Sequence, residues 1–151
     1  MTRRVPYTAA QMFDLVADVE RYPEFLPLCE SLAVTSRAEQ GGKTVLVATM
    51  GVGYKAIRER FTTRVTLDPA GLKIVVEYLD GPFRHLENRW TFVDVEGGGS
   101  DTGFWIDYEF KSPLLGLLMG KMFDTAFHKF AEAFETRARQ VYGARQVKTI
   151  S

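Results

Sequence analysis

The chain has 151 residues, the size of one domain with a sizeable core, and its 46% hydrophobic and 25% charged content is that of a globular protein. Lys+Arg and Asp+Glu both number 19, so the formal net charge is zero and nothing global draws the chain to nucleic acid or an anionic membrane. The single Cys29 excludes an internal disulfide, and no CxxC or metal-ligand spacing occurs. A reducing, cytoplasmic setting is therefore the expectation.

The N-terminus, MTRRVPYTAAQMFDLVADV, has basic residues but no continuous apolar run, so no secretory signal is expected. No run of about 18 apolar residues offers a membrane span. A first helix is predicted from about Thr8 to Val19. Thr8 suits its N-cap, Gln11 the reciprocal position of a capping box, and Met12, Phe13, Leu15, Val16 and Val19 its apolar face. Pro23 and Pro27 then interrupt the chain, with room for a short helical turn between them. They sit in the unusually apolar stretch YPEFLPLC, Tyr22 to Cys29, which suits a buried corner or the rim of an apolar pocket.

From Leu28 to about Lys111 the chain reads as six strands. Turn signals stand at GG 41–42, GVG 51–53, DPAG 68–71, DGP 80–82 and EGGGSD 96–101. The short connections favour an antiparallel meander. Alternation assigns the faces. Ile57, Glu59, Phe61, Thr63, Val65 and Leu67 share one side, as do Leu72, Ile74, Val76 and Tyr78. Leu86, Asn88, Trp90 and Phe92 form the corresponding face of the next strand, and Phe104, Ile106, Tyr108 and Phe110 that of the last. One sheet face is thus apolar and the other charged. Glu59 and Asn88 are polar exceptions on the apolar face, suited to a structural hydrogen bond, a wet strand end or an anchor for a ligand.

A single long helix is predicted from Ser112 to about Tyr142, with Ser112 as N-cap, Pro113 at its first position and Gly143 at its stop. Met119, Met122, Phe123, Ala126, Phe127, Phe130, Ala133 and Phe134 form its apolar stripe, the natural cover for the sheet. Leu114, Leu117 and Leu118 project off that stripe. They suit a pocket mouth, a membrane contact or a partner interface, unless a loop covers them. The tail after Gly143 is expected to fray. Catalytic signals are poor. His85 and His128 fall on polar faces, Asp107 and Glu109 share an outer strand face, and EGGGSD lacks the lysine and the strand-to-helix setting of a phosphate loop.

Three motifs carry a resemblance: VPYTAAQMFDLVADVERYPEFLPLC, DGPFRHLENRWTF and DYEFKSPLLGLLMGKMFDTAFHKFAEAFETRA. With them the chain resembles the coenzyme Q-binding START-like family, also described as polyketide cyclase/dehydrase. Within that family it looks like the bacterial branch called ribosome-association toxins. Leu28 departs from the pattern, since relatives often carry Trp there. The resemblance covers nearly the whole chain and implies a single α+β domain of the helix-grip type. In such a fold a curved antiparallel sheet of six or seven strands wraps a long C-terminal helix behind short N-terminal helices.

The resemblance also implies an apolar cavity for ubiquinone or a related isoprenoid lipid, in a chaperone that supports respiration, with no catalytic cofactor. An isoprenoid tail would lie against Phe61, Trp90, Phe104, Tyr108, Met119, Phe123 and Phe127. The polar head would meet Glu59, Asn88 or the mouth, and Phe25 and Leu26 would stand at the entrance. Leu114, Leu117 and Leu118 would touch the membrane, peripherally at the inner membrane, during loading. Two alternatives stand beside this. One is a ribosome-binding module that blocks subunit association, using Arg58, Arg60 and Arg64 on the outer sheet face. The other is an enzyme acting on a polyketide-like or aromatic compound.

Overall fold

The computed structural model describes residues 1–144, and the expected frayed tail lies beyond Ala144, outside the described residues. Six strands form the meander: β2 (Cys29–Gln40), β3 (Lys43–Tyr54), β4 (Ile57–Asp68), β5 (Lys73–Asp80), β6 (Phe83–Asp94) and β7 (Ser100–Phe110). A further strand, β1 (Thr2–Val5), joins the outer side of β7. The sheet order is β1-β7-β6-β5-β4-β3-β2, with every neighbouring pair antiparallel. β1 was not expected from the sequence. Of its exposed arginines, Arg4 pairs with Asp101, its cross-strand neighbour on β7, and Arg3 reaches Glu135 at 2.6 Å.

The alternation expected for β4 to β7 is the one observed. Phe61, Val65, Ile74, Leu86, Trp90, Phe92, Phe104 and Phe110 are buried on the concave face. Irregular register at Cys29/Ser31, Val34/Ser36, Thr62/Thr63 and Phe83/His85 marks bulges, which bend a strand and sharpen its twist. Strands of 12 residues extend roughly 40 Å, so bends of this kind let the sheet curl around its cover. The GVG stretch is not a turn. Gly51 and Gly53 lie inside β3, where the side chains of Ser31 and Glu30 fold into the space their Cβ atoms would take. The chain reverses two residues later, at Lys55 in the left-handed region, with no glycine to signal it.

Helix α1 (Ala9–Ala17) begins with the capping box expected. Gln11 N–H donates to Thr8 Oγ1 at 3.1 Å, and Thr8 N–H donates to Gln11 Oε1 at 3.0 Å. Asp94 Oδ1 takes a further free amide, that of Ala9, at 2.8 Å. A 3-10 helix over Val19–Glu24 follows and contains Pro23, so the helical turn includes the first proline and ends before the second rather than standing between them.

The C-terminal cover is two helices, not one: α2 (Pro113–His128) and α3 (Phe130–Tyr142), divided at Lys129. Neither proline nor glycine makes this break. Just before it, the Thr125 hydroxyl donates to Lys121 O at 3.0 Å, and His128 Nδ1 lies 2.6 Å from Asp124 O. Side-chain bonds of this sort compete with the backbone ladder and bend helices. The break also turns the buried stripe, which continues through Ala131, Phe134 and Ala138. The end of α3 is clasped to α1: Tyr7 O–H donates to Gly143 O at 2.6 Å and Tyr142 O–H to Gln11 O at 3.1 Å.

Two hydroxyls beneath this layer, on Ser100 and Thr102, are fully buried without a hydrogen-bond partner among the described residues. An unsatisfied buried hydroxyl costs about 1–3 kcal/mol. Thr102→Val keeps the shape and removes the group, so urea denaturation should show a variant more stable by about 1 kcal/mol.

Candidate functional site: an apolar cavity under a broken helix

Between the concave sheet face and the helices lies a cavity with a free volume of about 80 Å³. Its wall is built from the sheet (Phe61, Thr63, Val65, Ile74, Leu86, Asn88, Trp90, Phe104), the helices (Phe123, Ala126, Phe127, Phe130, Phe134) and the proline corner (Tyr22, Leu26, Pro27, Leu28). None of the lining residues is Asp, Glu, Lys, Arg, His or Cys. The one titratable group, the Tyr22 phenol, is pushed far up by burial and donates to Val16 O. The cavity wall therefore holds no acid or base that titrates near neutrality.

Of the residues expected to touch a ligand, Leu26, Phe61, Asn88, Trp90, Phe104, Phe123 and Phe127 line this space. Four do not. Phe25 faces α3, its ring centroid 5.1 Å from that of Phe134 and the Arg137 guanidinium 5.1 Å from its centre. Glu59 is half-buried and borders a surface cleft with Glu30, Arg58 and Arg60. Tyr108 donates to Asp124 Oδ1 at 2.5 Å and to Gly120 O at 3.3 Å, fastening α2 to β7. Burial, then Asp124, raises its phenol above the usual tyrosine value. Met119 is buried but packs away from the cavity. Sequence reasoning passed over Thr63, Leu28 and Phe130, although Thr63 and Phe130 lie in the very alternation and stripe that were read.

The stretch YPEFLPLC is a packed corner whose last residues face the cavity. Its outer side is tied down by Glu24, which meets Arg21 at 3.0 Å and Arg137 at 2.8 Å. Arg21 first, then Arg137, hold the Glu24 carboxyl below its ordinary range. Leu28 sits at φ 67°, the left-handed region that side chains avoid, while its carbonyl accepts from Gly53 N–H at 3.0 Å. Asn88 is buried between two tryptophans. Its Oδ1 accepts from Trp90 Nε1 at 2.9 Å and its Nδ2 donates to Trp105 O at 2.9 Å.

Leu114, Leu117 and Leu118 are exposed at 64%, 80% and 55%, so no loop of the described chain covers them. Lys121 continues their side of α2 at the helical spacing, and Lys111 precedes the helix. No helix among the described residues is long and apolar enough to cross a membrane.

Residues 5–135 match the family described as "Polyketide cyclase / dehydrase and lipid transport". The chain belongs to this family. A "Ribosome association toxin RatA" of Vibrio cholerae is 37% identical over 139 residues, covering 92% of this chain and 93% of that protein. A "Coenzyme Q-binding protein COQ10 homolog B, mitochondrial" of Xenopus laevis is 33% identical over 145 residues, covering 93% of this chain and 57% of that protein. The solution structure of an 18 kDa protein from Caulobacter crescentus superposes with a TM-score of 0.77 at 38% identity, over 95% of this chain and 97% of that one. The START-like helix-grip architecture expected from the sequence is the one found.

Cys29 is buried beside the corner, and burial pushes its thiol up to about 11. At pH 8 the thiolate is scarce and shielded. A colourless-to-yellow disulfide reagent should label the native protein slowly and incompletely, then one thiol per chain once urea is added.

Proposed function

We propose that the protein binds an isoprenoid lipid such as ubiquinone in this cavity and carries it as a chaperone rather than as an enzyme. The observation that supports this reading most is the wall itself: a continuous aromatic and aliphatic lining without an acid, base or nucleophile of ordinary pKa. Each buried CH₂ of a tail contributes about 0.8 kcal/mol, so a few isoprene units supply substantial affinity. The kinship with a protein named for coenzyme Q binding points the same way.

The free volume of about 80 Å³ is well short of the roughly 300–1,000 Å³ typical of sites for drug-sized ligands. Loading then requires the wall to yield. α2 is the element suited to move, because it is separated from α3 at Lys129 and its first turns face outward; the Tyr108 hydroxyl is the tie to β7 that such a movement would break. Its exposed leucines, flanked by Lys111 and Lys121, suit a brief stay at a lipid surface while it does so.

Native mass spectrometry of protein taken from its own cells, followed by lipid extraction, tests the reading. A stoichiometric neutral lipid is the expected result, and a protein that arrives empty and refuses added quinone overturns it. Ala126→Leu, at a buried cavity position, should keep the fold by circular dichroism and reduce the carried lipid several-fold. Leu117→Glu should leave lipid binding in detergent unchanged yet slow transfer between vesicles by about tenfold or more.

A ribosomal role is the second reading, favoured by the 37% identity to the protein named as a ribosome association toxin. Arg60 and Arg64 on β4 form no ion pair among the described residues, whereas Arg58 is held by Glu30 at 2.9 Å. The neighbouring strands set Glu77, Glu87 and Asp107 in register across the same outer face, so the basic row is narrow. Sedimentation with ribosomes at several salt concentrations separates the readings: this one requires salt-sensitive binding that Arg60→Glu/Arg64→Glu removes.

A further inference from the structure

The N–H and O–H groups on side chains of the cavity wall belong to Tyr22, Thr63, Asn88 and Trp90. The Tyr22 hydroxyl proton is already given to Val16 O. Chemistry fixes the orientation of Asn88. Indole Nε1–H only donates, so the atom facing Trp90 is the carboxamide oxygen, and the amide nitrogen faces Trp105 O. That nitrogen carries a second N–H with no acceptor among the described residues. Thr63 is 6% exposed, and its hydroxyl has no hydrogen-bond partner among the described residues. The contrast with its neighbour is informative, since Thr62, on the opposite face, meets Thr49 Oγ1 at 2.7 Å.

Thr63 and Asn88 share the concave face. Thr63 lies two residues from Val65 on β4; Val65 faces Val76 on β5, and Val76 faces Asn88 on β6. Two spare donors thus stand in one apolar wall, with no Lys, Arg or His in that wall to balance an anion. Buried donors left unmade are costly, and an unpaired buried carboxylate or phosphate is costlier still.

We propose that Thr63 and Asn88 are the polar contacts of the bound lipid, and that they select an uncharged head with a carbonyl oxygen over a carboxylate or phosphate. The assignment rests on the reading of the cavity as a lipid site and adds to it the chemistry of the head and the residues that meet it. The two donors stand two strand spacings apart, roughly 10 Å, so a head with two oxygens meets them, one accepting from the Thr63 hydroxyl and the other from the free Asn88 N–H. A hydrocarbon of equal length leaves both donors unpaired, and a fatty acid brings in a charge that nothing in the wall neutralises.

The test is displacement of Nile red, a neutral reporter, by three molecules sharing a ten-carbon chain: decylubiquinone, decylbenzene and decanoate. Decylubiquinone should compete about tenfold better than either of the others, the ratio expected of one to two net hydrogen bonds. Thr63→Val should cut that advantage to roughly threefold without changing decylbenzene, and Thr63→Ser should retain it. Asn88 is left intact because it also holds Trp90. The proposal is overturned if Thr63→Val weakens decylubiquinone and decylbenzene alike, or if decanoate competes as well as decylubiquinone. Equal competition by all three leaves the cavity as a lipid site and removes only the assignment of Thr63 and Asn88. No binding of the reporter or of any competitor removes both.

Discussion

Phe134 is the ring on which the sheet, the proline corner and the C-terminal helices meet. It is fully buried, and its centroid lies 5.1 Å from Trp90 on the sheet, 5.1 Å from Phe25 and 5.4 Å from Tyr22 on the corner. All three contacts are edge-on, the geometry that aromatic quadrupoles favour. A curled sheet with one apolar face needs a cover, and a corner rich in apolar residues needs something to pack against. α3 answers both through this one side chain. Arg137, one turn further along, closes the same contact from the solvent side by joining Glu24 and lying over Phe25.

The break at Lys129 divides the cover into parts with different work. α3 is anchored at both ends, by Phe134 among the aromatics and by the Tyr7 and Tyr142 hydroxyls at its C-terminus. α2 is held along its inner face only. Phe123 and Phe127 pack inward, Tyr108 fastens its middle, and its first turns present leucines outward. The corner thus packs on α3, and the exposed apolar face belongs to α2.

Much of the fold was legible because its signals are local or periodic. The capping box at Thr8, the Ser112–Pro113 start of α2 and the Gly143 stop depend on neighbours within a turn. The faces of β4 to β7 follow from a period of two. The glycines at 51 and 53 misled because the same residue that permits a turn also admits a side chain crossing from the next strand. The break at Lys129 was illegible because hydroxyl and imidazole groups competing for backbone carbonyls leave no compositional mark. For the site, residue type foretold the character of the wall, but not which residues face it. Phe25 and Met119 are as apolar as Leu26 and Phe123, and only the packed structure separates them. Glu59 and Asn88 shared one pattern, yet only Asn88 lies far enough from the strand ends to be enclosed.

The order of elements along the chain has a consequence for biosynthesis. Met1 pairs with Phe104, Arg3 reaches Glu135 and Tyr7 reaches Gly143, so the two ends of the described chain close on each other. After β1 and α1, β2 to β7 leave the ribosome in turn, and each can pair with the strand just made. Their concave apolar face then waits for α2 and α3, the last elements to emerge. Until α3 docks, Trp90 and Phe104 have no cover and β1 lacks its tie to Glu135. Contacts of such long sequence separation slow folding and prolong the exposure of sticky surface. The nascent protein thus passes through a stage in which its future cavity is an open apolar trough, and the aggregation risk of synthesis falls on the same residues that later line it.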